Sequence, residues 1–342
     1  MINQEDLMRP LHGASEFQIL RAGVELGIFE ALNKQGQLTL EEIAKETELM
    51  IEPVRVQMMG MKQTGLVEFN SEMYKNCEAI TKYFEKGEYD LFKKMTLIQA
   101  HIMYLGQADY VESLRQNRNV GIERYSGIGN TIYEKLNHDP RLRKVFYDYM
   151  EAYSAYALPH LLKEIDMSGV RNVLDVGGGG GNNSIEIAKK YPNTNITLFD
   201  ISTARDLAEE NIRKNGLSER IIFSQGDMFK DEFTNNQDCV LFIHQLMIWS
   251  PEQNELLLQK AYDALNENGK VILFGSIGDH KNNSIMAALD SVYFRAVAAG
   301  QGMLYPSTDY KAQLKDVGFK KVEVIHCDTW TPHGIVIGYK SK

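Results

Sequence analysis

The apolar positions of the first third of the chain recur with a helical period. Between Phe17 and Leu32 the residues Ile19, Leu20, Ala22, Gly23, Leu26 and Ile28 fall at helical spacing. Thr39 followed by Glu42 reads as a capping box that opens the next helix. Val54, Met58 and Met61 then recur at i, i+4 and i+7, which predicts a helix from Ile51 to a stop at Gly65. The runs 66–69 and 73–74, split by polar Asn70-Ser71-Glu72, predict a short hairpin, so the segment reads as a winged helix-turn-helix. Residues 91–164 keep a helical pattern with aromatic and methionine positions. After Gly169 the pattern changes to β-rich runs at 173–176, 196–199, 221–223, 240–243 and 271–274, separated by helical stretches. That alternation predicts an α/β, Rossmann-like domain with a parallel, doubly wound sheet. The expected division is a mostly helical winged-helix-like domain over 1–110, a helical connector over 111–165 and the Rossmann-like domain over 166–342.

Charge narrows what the winged helix can do. The formal net charge of −9 opposes a phosphate backbone, and the recognition-helix position carries only Arg55 and Lys62 as basic residues. Nucleic acid is therefore excluded as a partner, and the Met-rich stretch 56–61 is read as a packing face against another subunit. Cys77, Cys239 and Cys327 show no paired spacing, which predicts reduced thiols. The N-terminus lacks a signal-peptide pattern, and no apolar run reaches the ~18–20 residues that span a bilayer. The expectation is a soluble, cytoplasmic protein with no membrane partner.

The sharpest chemical signal is the strand Val173–Val176 followed by five glycines, Gly177 to Gly181, and a helix over 183–190. Glycines let the backbone approach a ligand, and the helix N-terminus that follows is electropositive. Three carboxylates accompany the loop at successive strand ends. Asp175 lies just before the glycines, where a methionine ammonium group wants an acidic neighbourhood. Asp200 ends the next strand, where it can accept both ribose hydroxyls. Gly226-Asp227-Met228-Phe229 follows the third strand, with a carboxylate for an adenine amino group and apolar side chains to cover the ring. This set suits S-adenosylmethionine better than a nicotinamide dinucleotide.

With these residues in place the chain resembles the two-domain O-methyltransferases of plant phenylpropanoid and bacterial natural-product pathways. The resemblance runs through LGIFEAL, FYDYM, VLDVGGGGG, FDI, GDMF, WSPEQ and GFKKVEV, and so covers nearly the whole length. It implies a homodimer formed through the N-terminal domain and a small-molecule substrate. It also implies that Gly177, Gly179, Asp200, Ile201, Gly226, Asp227, Met228 and Phe229 line the cofactor, with Trp249 at the adenine side and Met150 near substrate or cofactor. Tyr104, Met247, Met286, Tyr293 and Phe294 would contribute an apolar substrate wall.

The chain departs from the family pattern at the acceptor side. The family's general base is a His two residues before the Trp of this stretch, and here that position is Met247, whose thioether takes no proton at neutral pH. Gly275 stands where the first supporting acid would be, and Leu304 or Tyr305 at the second unless a gap brings Asp309 there. His244 is the substitute to examine, as base or as a cofactor-side group, although its offset of three residues reverses a strand face. His101, His280 and Tyr104 are weaker candidates, and no metal is expected. Methyl transfer to an already nucleophilic acceptor needs mainly in-line placement, which can supply ~7–11 kcal/mol. The sequence therefore predicts a methyltransferase for a small apolar or aromatic substrate, acting without the family's base, with oxygen or carbon as acceptor. Two alternatives stay open: a non-methylating reaction on the same fold (decarboxylation, hydroxylation or a pericyclic step) and a cofactor-sensing regulator.

Overall fold

The computed structural model describes residues 3–281 and 284–341. The chain divides into two compact units, one formed by 1–104 with 141–156 and the other by 105–140 with 157–342. The connector expected over 111–165 is thus shared between them.

The first unit opens with helices α1 (Gln4–Leu11), α2 (Gly13–Glu25) and α3 (Ile28–Gln35). The single helix expected over 17–32 breaks at Gly27, whose φ of 70° is a left-handed conformation that glycine adopts without strain. Helix α4 (Leu40–Glu46) starts on the predicted capping box, with both Thr39–Glu42 hydrogen bonds formed. Helix α5 (Ile51–Gln63) follows, and strands β1 (Val67–Asn70) and β2 (Met73–Asn76) pair antiparallel with Val67 opposite Asn76. Then come α6 (Glu78–Glu85) and α7 (Tyr89–Ile98). The winged-helix pattern is present, but the methionines divide differently from the expectation. Val54, Met58 and Met61 are fully buried in the unit's own core with Phe29, Leu32 and Ile43. Met50, Val56 and Met59 are the large apolar side chains of this region that stay exposed among the described residues. The helical period decides this, because 54, 58 and 61 share a face and 56 and 59 do not.

In the second unit the helical region is more broken than its pattern suggests: α8 (Tyr104–Gln107), α9 (Tyr110–Gln116) and α10 (Ile132–Lys135) are short, and α11 (Pro140–Glu164) contributes to both units. Strand and helix then alternate through β3 (Asn172–Val176), α12 (Asn182–Lys190), β4 (Asn195–Asp200), α13 (Arg205–Lys214), β5 (Ile221–Gln225), β6 (Gln237–Ile243), α14 (Pro251–Ala264) and β7 (Leu265–Ser276). Helices α15 (Ser284–Tyr293) and α16 (Ser307–Val317) and strands β8 (Lys321–His326) and β9 (His333–Tyr339) complete it. The sheet has the order β5-β4-β3-β6-β7-β9-β8. It is parallel from β5 to β7, the five runs read from the alternation, and β9, which that reading did not include, runs antiparallel to both β7 and β8. Period-two alternation splits each central strand between two cores. Val173, Cys239, Leu241 and Ile243 face helices α11 to α13, while Leu174, Val176, Val240 and Phe242 face α14 and α16. Among the described residues no helix is long and apolar enough to cross a membrane.

Candidate functional site

Strand β3 is flanked by β4 on one side and β6 on the other, and the chain reverses its winding between β3 and β6. Ligands in open α/β sheets bind beyond the carboxyl ends of the strands at such a switch point. The glycine loop stands there. Gly177 has φ 73° and its amide bonds Phe199 O, and a Cβ on it would lie 2.3 Å from Gln245 Nε2, which itself donates to Gly177 O at 3.1 Å. A Cβ on Gly179, by contrast, would meet nothing within 4 Å, so the loop presents bare backbone to open space there. Its amide donates to Asp200 Oδ2 at 2.8 Å, and Ile201 N donates to Asp200 Oδ1 at 2.7 Å. Burial raises the Asp200 carboxyl above its usual range against these two donors.

Asp175 takes a different place from the one its position suggests. It is 1 % exposed beneath the loop, where Ser184 Oγ on α12 donates to its Oδ2 at 2.6 Å and its Oδ1 has no partner. Burial pushes its carboxyl up to about 6. Farther along, Gly226 N bonds Asp200 O, and a Cβ there would enter the Phe199 ring at 2.3 Å. Asp227 Oδ1 accepts Phe229 N at 2.9 Å, and Lys230 holds its carboxyl below the usual range. Phe229 meets Trp249 edge to face at 4.9 Å, with half-buried Met228 in the same cluster, and Trp249 Nε1 is buried without a partner among the described residues. The Trp-Ser-Pro-Glu-Gln stretch has a plain local cause: Ser250 and Gln253 form a capping box with Pro251 in the first turn of α14. An unpaired indole N–H, a two-donor carboxylate, open glycine backbone and an aromatic wall fit a nucleoside carrying a charged side chain.

The acceptor side lies past β6. His244 leaves the strand with φ 55°, a left-handed turn that undoes the expected face reversal and brings its Nδ1 3.4 Å from where a Gly275 Cβ would stand. The same Cβ would lie 2.5 Å from Met247 Cε. The missing side chain at 275 is what admits both groups. Met247, on the turn Leu246–Ile248, is 6 % exposed and packs with Ala287 and Leu304, flanked by Ile248 and Phe294. Leu304 packs in the cluster of Met247, Tyr305 donates to Trp249 O, and Asp309 is exposed on α16. His244 is half-buried against Phe274 and His333, with ring centroids at 5.5 and 5.3 Å, and desolvation depresses its imidazole to about 4. Behind it Thr331 Oγ1 and His333 Nδ1 are 2.6 Å apart.

The sequence matches the O-methyltransferase domain family over residues 105–320, more than half the chain. The chain belongs to this family. It is 38 % identical to the L-tyrosine C(3)-methyltransferase of Streptomyces lavendulae over 99 % of its own length and 93 % of the relative's. It is 27 % identical to the 3-hydroxy-5-methyl-1-naphthoate 3-O-methyltransferase of Streptomyces sahachiroi over 96 % of this chain and 93 % of that one. The crystal structure of the S-adenosylmethionine-dependent methyltransferase SibL, in its apo form, superposes with a TM-score of 0.88 at 36 % identity, covering 99 % of this chain and 100 % of the other. The chain is an S-adenosylmethionine-dependent methyltransferase.

In this methyltransferase the other sequence-selected residues scatter. Tyr104 and Met150 belong to the first unit, where Tyr104 stacks on Phe17 at 5.3 Å. Met286, Tyr293 and Phe294 follow one another along α15 and its continuation in the second unit, and Tyr293 is buried. His101 lies 3.4 Å from Glu25, and His280 is buried on Cys327 O. Sequence reasoning missed Ser184, Gln245 and His333. None carries a motif, and each is defined by a partner 9 to 89 residues away.

Asp175 gives the methyltransferase a pH signature. Its carboxyl ionises near 3.8 in an ordinary setting and at about 6 here. The folded state therefore binds the extra proton between those values, and the site's contribution to stability falls as pH rises from about 4 to 6. Asp175→Asn is expected to flatten that part of the stability profile in denaturant titrations at pH 4, 5, 6 and 7. An unchanged slope would show that the carboxyl is not perturbed.

Proposed function

We propose that the protein transfers a methyl group to an aromatic ring carbon beside a phenolic hydroxyl, with L-tyrosine as the first substrate to test. The observation that carries this reading is the apolar wall of Met247 and Leu304 beside Gly275. By resemblance Met247 and Gly275 stand where the O-methylating pattern has its His base and one supporting acid, and the wall offers a flat ring a packing surface without that imidazole. The similarity to an L-tyrosine C(3)-methyltransferase across nearly the full chain supports the same acceptor. A ring carbon ortho to a phenolate is already nucleophilic, so placement contributes the larger share of the barrier lowering.

In this reading Gly177, Gly179, Asp200, Ile201, Gly226, Asp227, Met228, Phe229 and Trp249 hold S-adenosylmethionine, which supplies an electrophilic methyl group. Asp175 supports the loop from below, and His244 fixes the turn at Gly275. Met247, Met286, Tyr293 and Phe294 form the substrate wall. With ring-3,5-deuterated L-tyrosine, the expected product gains CH3 and loses one deuterium, whereas a product retaining both deuteria would reject carbon methylation. Nothing favours the non-methylating or regulatory alternatives. We further propose a homodimer through the first unit, supported by exposed Leu7, Met8 and Leu11 on α1 and by Met50, Val56 and Met59. Light scattering is expected to give twice the 38.9 kDa chain mass and to fall to the single mass in Val56→Asp/Met59→Asp; a monomeric wild type would reject it.

A further inference from the structure

We propose that Asp290 is the general base of the methyl transfer, standing on α15 beside the apolar wall that has replaced the family's base. This rests on the carbon-methylation reading above. Ala287, fully buried, and Phe294 both pack in the cluster around Met247 and Leu304. Asp290 lies three residues from the first and four from the second, which places it on the same helical stripe. The adjacent Ser291 fixes the helix to the wall: its Oγ donates to Ala287 O at 2.8 Å and accepts Leu304 N at 3.0 Å. Among the described residues Asp290 has neither a hydrogen-bond nor an ion-pair partner, although it is only half-exposed. A carboxylate in an apolar setting with no partner has no structural task that an uncharged residue would not do better.

The neighbouring groups leave the role to it. Arg295 is committed to Gly300 O and Asn117 Oδ1. Tyr293 is buried and interacts with Tyr133. His244 is depressed to about 4, too weak a base for a phenol near neutral pH. Burial raises the Asp290 carboxyl to about 7, where a general base works best.

The chemistry balances. The phenol O–H proton passes to Asp290, and the ortho ring carbon then forms a bond to the methyl group. The S–CH3 bond breaks with its electron pair going to sulfur, leaving S-adenosylhomocysteine and a ring carbon that carries both H and CH3. That carbon loses its proton to water, the C–H pair restores the aromatic ring as a phenolate, and the phenolate recovers the proton held by Asp290. One proton is released per turnover.

The test compares wild type, Asp290→Asn and Asp290→Glu with L-tyrosine, alongside S-adenosylhomocysteine affinity as a measure of folding. The expected result is a fall in kcat of about 100-fold or more in Asp290→Asn, since general bases contribute ~10²–10⁴. KM and S-adenosylhomocysteine affinity should stay within threefold of wild type, and Asp290→Glu should recover most of kcat. A kcat in Asp290→Asn within threefold of an active wild type overturns the proposal. If wild type does not methylate the ring carbon, the reading beneath the proposal fails, and Asp290 is then judged by ¹³C NMR of labelled aspartate carboxyls, assigned with Asp290→Asn. A carboxyl titrating near neutrality and shifted by added phenol supports a proton-accepting site, and one titrating in the ordinary range overturns it.

Discussion

Replacing Asp200 with alanine is expected to weaken S-adenosylhomocysteine binding by about 100-fold, measured by calorimetry. Its carboxylate receives two backbone donors at 2.8 and 2.7 Å, from Gly179 and Ile201, and so ties the glycine loop to the end of β4. Hydrogen bonds to a charged acceptor contribute roughly 1.5 kcal/mol each at the low end, and two of them make about 3 kcal/mol. At about 1.4 kcal/mol per decade that is slightly more than two decades of affinity. The loop also loses the group that this account assigns to the ribose. Asp200→Asn keeps one acceptor and is expected to fall between the two. An Asp200→Ala affinity within threefold of wild type would mean that the carboxylate neither shapes the loop nor meets the ligand.

The second large effect is expected at Gly302. A Cβ there would lie 2.1 Å from Met247 O and 2.5 Å from the Ile248 carbonyl carbon, and these are backbone atoms that cannot rotate aside. In Gly302→Ala either the loop before Leu304 or the Leu246–Ile248 turn must move. Overpacking of this kind costs roughly 1–3 kcal/mol, and at about 2–4 °C per kcal/mol the melting temperature should drop by several degrees. The larger consequence is catalytic. Met247 and Leu304 are the two sides of the proposed wall, and a displacement near 1 Å in a placement-driven reaction costs on the order of 100-fold in rate. S-adenosylhomocysteine affinity should change less, because the Gly179 and Ile201 amides held by Asp200 lie outside this turn, which meets the glycine loop through Gln245 at Gly177. Equal losses of affinity and rate would argue that the two halves of the site are not separable.

The cofactor side was legible in the sequence because its chemistry is local. Gly177 to Gly181, Asp200 and Gly226-Asp227 each follow a strand, and strand ends are what period-two patterning locates best. Local signals also placed the Thr39 capping box and the wing. What local patterning could not see is set by long-range packing. Strand β9 enters the sheet antiparallel, between β7 and β8, and no short-range feature of Lys321–His326 or His333–Tyr339 fixes their directions. The burial of Met58 and Met61 depends on Phe29 and Leu32, roughly 30 residues earlier. Which of Leu304, Tyr305 and Asp309 packs beside Met247 is likewise set by tertiary contacts. Asp290 did leave a trace, as the single charge in the run from Ile285 to Phe294. A lone acid on an otherwise apolar helix is the signal that would have found it.

The central claim is carbon methylation beside a phenol at a site that has lost the family's His. It is tested most directly by incubating the protein with methyl-¹³C S-adenosylmethionine and L-tyrosine and locating the label by NMR. The account predicts an aryl-carbon methyl group ortho to the hydroxyl, coupled through the ring to a single remaining ortho proton. A labelled methoxy group, or no label on the amino acid, would contradict it.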